Sequence, residues 1–212
     1  MATDPRTTEA IEQLRASDPV MRRLIDEVGV ESLGTTRRTR SRDHYGALVR
    51  TIVGQQLSTK AAQAIYGRLA DRFGGRAPTP EEILADDPED LRAAAGLSHA
   101  KVGYLRSLAE HVLDGSLQLS KLGRLSDDRV ITELVAVKGL GRWSADMFLM
   151  FHLQREDVLP VGDLGIRKAI MVAYTLPEPP TTEQMFAVAE PWRPHRTLAS
   201  RFLWRSLNAT PI

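Results

Sequence analysis

The sequence predicts an all-α fold, and three observations carry that prediction. Side-chain caps recur just ahead of proline: Asp18 before Pro19, Thr79 before Pro80 and Asp87 before Pro88 each set an oxygen acceptor in front of a residue whose fixed φ suits the first helical turn. Glycines stand where apolar periodicity stops, at Gly74 with Gly75, at Gly96 and at Gly115, as expected where a chain turns left-handed to end a helix. No run carries the alternation and β-branched enrichment of a strand. A chain of 212 residues can bury one sizeable core or two smaller ones sharing a groove, and the second arrangement, a two-lobed helical bundle, is expected.

Taken in order, residues 1–42 should supply N-terminal helices that complete the second lobe. Within them the stretch TRRTRSR, Thr36 to Arg42, reads as a solvated linker. Between Asp43 and Phe73, Tyr45, Leu48, Val49, Ile52 and Val53 are followed by Ala61, Ala64, Ile65 and Leu69, with Ser58 able to cap the second run. Two packed helices follow. They open a lobe of residues 43–115 that contains the turn GQQLS. The polar stretch between Gly115 and Ser126 is the expected crossing to a second lobe, residues 116–212. The sequence has no internal repeat, and its one proline-dense piece is the loop Pro177 to Pro180.

An apolar fraction of 42% with 26% charged residues argues against disorder and against a membrane protein. The balance of 28 basic to 27 acidic side chains gives a net charge of +1, so composition alone does not point to nucleic acid. The absence of cysteine excludes structural disulfides, thiolate zinc sites and cysteine-bound iron–sulfur clusters. The N-terminal residues lack the basic start and apolar run of a secretory signal, no apolar run approaches the ~20 residues of a membrane span, and the cytoplasm is the expected compartment. The five histidines form no short metal-binding spacing and are given no catalytic role.

The most informative segment is Leu134 to Ala145, LVAVKGLGRWSA: an apolar helix end, a glycine-apolar-glycine turn, and a second helix starting at once. Gly139 and Gly141 suit backbone angles closed to other residues and a main chain approached closely by a partner. Amide N–H groups opening the second helix would point outward with the positive end of the helix dipole, a site that grips a phosphate without reading sequence. Asp163, just ahead of the periodic run Leu164, Ile166, Ile170 and Met171, reads locally as an N-cap.

Three segments in this order, LVRTIVGQQLSTKAA (Leu48 to Ala62), VKGLGRWSADMF (Val137 to Phe148) and LPVGDLGIRKA (Leu159 to Ala169), resemble the helix-hairpin-helix DNA glycosylase superfamily, specifically its 3-methyladenine glycosylase II, AlkA-like branch. The resemblance runs from Asp43 to Trp204. It implies an all-α, two-lobed bundle with a helix-hairpin-helix and a DNA-binding cleft between the lobes. It implies a catalytic role for Asp163, whose carboxylate would stabilise positive charge on the sugar as the N-glycosidic bond breaks. Gln55, Trp143, Met147 and Trp204 take positions of the base pocket, and Gln56 with Leu57 those of the wedge that fills the stack when a nucleotide is extruded. Lys138, Gly139, Gly141, Arg142 and Ser144 take positions at the DNA backbone.

Hairpins of this kind hold a sodium or potassium ion on main-chain carbonyls, here those of Val135, Val137 and Leu140. No cofactor is needed for catalysis. Where strand-nicking relatives carry a Schiff-base lysine in the hairpin, this chain has Trp143, and Gly162 replaces an acidic residue that many members carry before the catalytic one. The implied activity is monofunctional excision of alkylated bases from double-stranded DNA by a monomer, with no membrane or protein partner. Two alternatives stand beside it: a non-catalytic module that holds DNA through the same hairpin, and a glycosylase for another lesion class.

Overall fold

The structure, a computed structural model, describes residues 5–33 and 43–209, and the arginine-rich stretch 36–42 lies outside them. Every regular element among the described residues is helical. In chain order they are α1 (Pro5–Ser17), α2 (Pro19–Val28), α3 (His44–Gly54), α4 (Thr59–Arg72), α5 (Pro80–Ala85), α6 (Pro88–Ala95), α7 (His99–Leu113), α8 (Leu119–Leu122) and α9 (Asp127–Val135). There follow α10 (Arg142–Met147), which runs on as a π-type turn over Phe148–His152, then α11 (Leu164–Ala173), α12 (Thr182–Ala189) and α13 (Arg196–Ala209). Among the described residues no helix is long and apolar enough to cross a membrane.

The local signals act as the sequence predicts. Asp18, Thr79 and Asp87 cap the helices that Pro19, Pro80 and Pro88 open, and Ser58 caps α4. Thr79 closes a reciprocal box with Glu82, so two amides that a helix start leaves unpaired are both satisfied. Gly96 ends α6 in the left-handed conformation at φ 73°.

The contacts divide the chain into residues 1–39 with 154–212, and residues 40–153. In the first unit α1, α2, α11, α12 and α13 enclose Leu14, Met21, Ile25, Ile166, Ile170, Met185, Trp192, Phe202 and Leu203, all buried. Asp18 lies within this unit, its Oδ1 accepting from the Val20 and Met21 amides at 2.8 and 3.2 Å and its Oδ2 from Trp192 Nε1 at 2.8 Å and from the Tyr174 hydroxyl. A buried carboxylate with this many donors holds α2 to the C-terminal helices. In the second unit α3 is central: Leu48, Val49, Ile52 and Val53 are buried, and the helix packs against α4, α7, α8 and α10.

This division corrects the expected boundary between residues 115 and 116. The stretch after Gly115 is polar by composition, yet Leu117 and Leu122 are 2% and 1% exposed, and α8 packs on α3. Apolar anchoring of those two leucines keeps the following α9, the hairpin and α10 in the unit of residues 40–153. Asp163 falls in the other unit, with the N-terminal helices.

Candidate active site

The hairpin leaves α9 at Val135 and closes on a Leu140 N–H donating to Val137 O at 3.0 Å. Gly139 sits at φ 93°, and a Cβ there would run into the Tyr104 ring, so both conformation and space demand glycine. Gly141 differs from the expectation. Its φ of −93° and ψ of −179° are extended backbone open to any residue, and a Cβ would meet nothing within 4 Å. What glycine contributes at 141 is an N-cap without a side chain over the start of α10. Val137 and Leu140 anchor the turn in the core. The Val137 carbonyl accepts this N–H, and a carbonyl oxygen has two lone pairs.

Of the residues expected at the DNA backbone, Lys138, Gly141 and Arg142 are exposed. Ser144 is a correction: it is 2% exposed and its Oγ accepts from Gln55 Nε2 at 3.0 Å, because α10 turns that face onto α3. Arg142 Nε donates to Asp146 Oδ1 at 2.9 Å. Asp146 is wholly buried with its Oδ2 unpaired, and burial pushes its carboxyl up to about 6 against the pull of the Arg142 hydrogen bond and charge.

The turn between α3 and α4, where the wedge is expected, is strained and exposed. Gln56 holds φ 57°, unusual for a residue with a Cβ, and Leu57 is 38% exposed before Ser58 starts α4. Gln55 differs from the pocket role expected of it. Its amide nitrogen donates to Gly139 O at 2.8 Å as well as to Ser144 Oγ, so both donors are spent on the hairpin. Lys101, which the sequence gave no reason to single out, donates through Nζ to Val53 O at 2.8 Å and Gln55 O at 3.0 Å and caps the end of α3; burial lowers its pKa. Turn and hairpin are thereby braced as one body.

Beside this turn lies an open, mostly apolar hollow of about 360 Å³, lined by Arg50, Leu57, Tyr66 and Trp143 among others, with the Arg50 guanidinium 4.8 Å from the Tyr66 ring centre. Trp143 and Met147 are partly exposed and one helical turn apart on α10.

In the other unit, Asp163 is the N-cap of α11. Its Oδ1 accepts from the Ile166 amide at 2.8 Å and from Trp204 Nε1 at 2.9 Å. These two N–H donors, one from α11 and one from α13, fix the orientation of the Asp163 side chain. Trp204, expected in the base pocket, is half-buried on α13 with its indole N–H turned to this carboxylate. Gly162 and Leu164 on either side of Asp163 are exposed. Trp192, the third tryptophan, is core.

Two histidines meet where the sequence suggested no relation: His44 Nδ1 lies 2.6 Å from His152 Nε2, and the His152 ring stacks on Phe148. Burial lowers both, His152 to about 4 with the His44 charge adding to the effect. Among the described residues no three His, Cys, Asp or Glu side chains come together as a metal site.

Residues 49–194 match the family described as HhH-GPD superfamily base excision DNA repair protein, over well more than half of the chain. The chain belongs to this superfamily. Within it, the DNA-3-methyladenine glycosylase 1 of Schizosaccharomyces pombe is 36% identical over 201 residues, spanning 94% of this chain and 87% of that one. A solved structure of the S. pombe 3-methyladenine DNA glycosylase in complex with abasic DNA superposes with a TM-score of 0.85 at 34% identity, over 96% of this chain and 100% of that one. A DNA-3-methyladenine glycosidase from Bacillus halodurans has a TM-score of 0.75 at 34% identity, over 93% of this chain and 88% of that one. The HhH-GPD match takes in the turn between α3 and α4, the hairpin and Asp163 together.

Proposed function

We propose that this chain is a monofunctional DNA glycosylase that extrudes an alkylated base of the 3-methyladenine or 7-methylguanine type from duplex DNA and hydrolyses its N-glycosidic bond. The observation that carries the proposal is the Asp163 carboxylate, fixed through Oδ1 by two N–H donors at a helix N-terminus. The name borne by the S. pombe relative supports the lesion class.

In this reading Lys138, Arg142 and the hairpin amides grip the phosphodiester backbone, and Leu57 enters the stack in place of the extruded nucleotide. A sodium or potassium ion on the carbonyls of Val135, Val137 and Leu140 would add positive charge to that grip, and catalysis requires none. Trp143, with Met147 below it, offers an electron-rich face to an electron-poor base. Bond breaking takes the C1′–N electron pair away with the base, which leaves neutral because alkylation had made it cationic. The Asp163 carboxylate stabilises the positive charge left on the sugar, water adds at C1′, and its proton passes to Asp163 or to solvent. Trp143 stands where a strand-nicking relative would carry an amine, so the product is an intact abasic strand.

Incubating the full chain, as a monomer without cofactor, with a duplex carrying one 7-methylguanine tests this. The expected products are free base and a strand that breaks only after alkali, with no borohydride-trapped adduct. Absence of base release from any alkylated duplex, or strand breakage without alkali, overturns it.

A further inference from the structure

The contact between Trp204 and Asp163 has the wrong chemistry for a residue whose only task is to stack on a base. A stacking residue presents a ring face and needs no N–H directed at a carboxylate. Here the indole Nε1–H is directed at Asp163 Oδ1, 2.9 Å away, across 41 residues of sequence. The same oxygen takes the Ile166 amide at 2.8 Å, so two donors from two helices converge on one atom. A third feature makes room for this. Gly165 lies in the first turn of α11, and a Cβ there would stand 3.0 Å from Asp163 Oδ1 and 3.3 Å from both Trp204 Cδ1 and Nε1. Those distances are tighter than ordinary van der Waals contact, so an alanine would wedge the indole off the carboxylate.

We infer that Trp204 is a positioning residue, whose N–H fixes the rotation of the Asp163 carboxylate, and that Gly165 is the space that lets it do so. The inference rests on the reading of Asp163 as the group that stabilises the sugar cation. Electrostatic stabilisation of this kind depends on the charge being held in place before the reaction, since reorientation during bond breaking costs rate. The indole is an uncharged donor, so it orients the anion without adding a charge of its own.

Two measurements on the full chain decide the matter. The first is the indole ¹H–¹⁵N spectrum, where the protein's three tryptophans give three resonances. Asp163→Asn should move the Trp204 signal and leave that of Trp192, whose N–H donates to Asp18, in place. The second is single-turnover base release at saturating enzyme beside affinity for abasic-site DNA. Trp204→Phe, which keeps a ring, should slow release roughly tenfold or more while affinity changes less than about twofold, the loss expected for one hydrogen bond to a charge. Gly165→Ala should slow release similarly although alanine favours helix over glycine, so lost stability does not account for it. An unmoved Trp204 resonance, or a Trp204→Phe protein that releases base at the parent rate, overturns the inference. If Asp163→Asn itself releases base at the parent rate, the catalytic reading of Asp163 falls and the inference with it, and the moved resonance then shows that the contact was real and only its use was misread.

Discussion

Gln55→Ala removes a side chain whose single amide nitrogen holds the Gly139 carbonyl at 2.8 Å and the Ser144 hydroxyl at 3.0 Å. A typical intramolecular hydrogen bond contributes about 1 kcal/mol net, so two account for about 2 kcal/mol. Ser144 is only 2% exposed, and a buried hydroxyl left without its partner adds about 1–2 kcal/mol more. The local opening free energy of the hairpin should therefore fall by about 3–4 kcal/mol, which accelerates amide exchange of hairpin residues by roughly 10²-fold to 10³-fold when opening is the limiting equilibrium. Hydrogen exchange on the free protein, read on peptides covering residues 134–145, checks this without any DNA. Gln55→Glu should be at least as damaging, because it sets a carboxylate oxygen against the Gly139 carbonyl. If Gln55→Ala leaves hairpin exchange at the parent rate while abolishing base release, the brace is wrong and Gln55 belongs to the base pocket after all.

Leu57→Ala should cost little stability, since the side chain is 38% exposed, but should weaken binding to a duplex with a single abasic site by roughly tenfold through the loss of apolar surface in the stack; equal affinities would remove Leu57 from the wedge. His152, lowered to about 4 by burial and by the His44 charge, binds fewer protons folded than unfolded between pH 6.5 and 4. Its contribution to stability is therefore whole above pH 6.5 and is lost as pH falls toward about 4. Asp146, raised to about 6, works with the opposite sign. On going from pH 7.5 to 5.0 the urea midpoint should fall further, or rise less, in the parent than in His152→Gln, where only the opposing Asp146 effect remains of the two, and an identical change in the two proteins counts against the buried pair.

The elements legible in the sequence are those written by neighbours in the chain. Asp18, Ser58, Thr79, Asp87 and Asp163 each cap a helix two or three residues away, and that proximity needs no tertiary knowledge. Gly139 was legible for the same reason, since a tight turn between two apolar runs is a local demand. Long-range partnerships were not. The polar look of residues 116–126 concealed Leu117 and Leu122, whose burial keeps the hairpin with residues 40–115. Gln55 reads as a polar helix end because its acceptors lie 84 and 89 residues away. Lys101 carries no mark in the sequence at all, since the carbonyls it caps belong to another helix. For the candidate site, the family motifs pointed to Asp163, Trp143 and the wedge, while the donor role of Trp204 needed the geometry of α11 and α13.

The central claim is that Asp163 acts on the sugar, and single-turnover release of 7-methylguanine from duplex DNA by the parent and by Asp163→Asn, each at saturating enzyme and with abasic-site affinities shown to match, tests it most directly. Asparagine keeps the size and the capping oxygen but removes the charge. The account predicts a fall of roughly 10²-fold or more in release, with binding intact and the remaining product an unbroken abasic strand. Release within about twofold of the parent would contradict it.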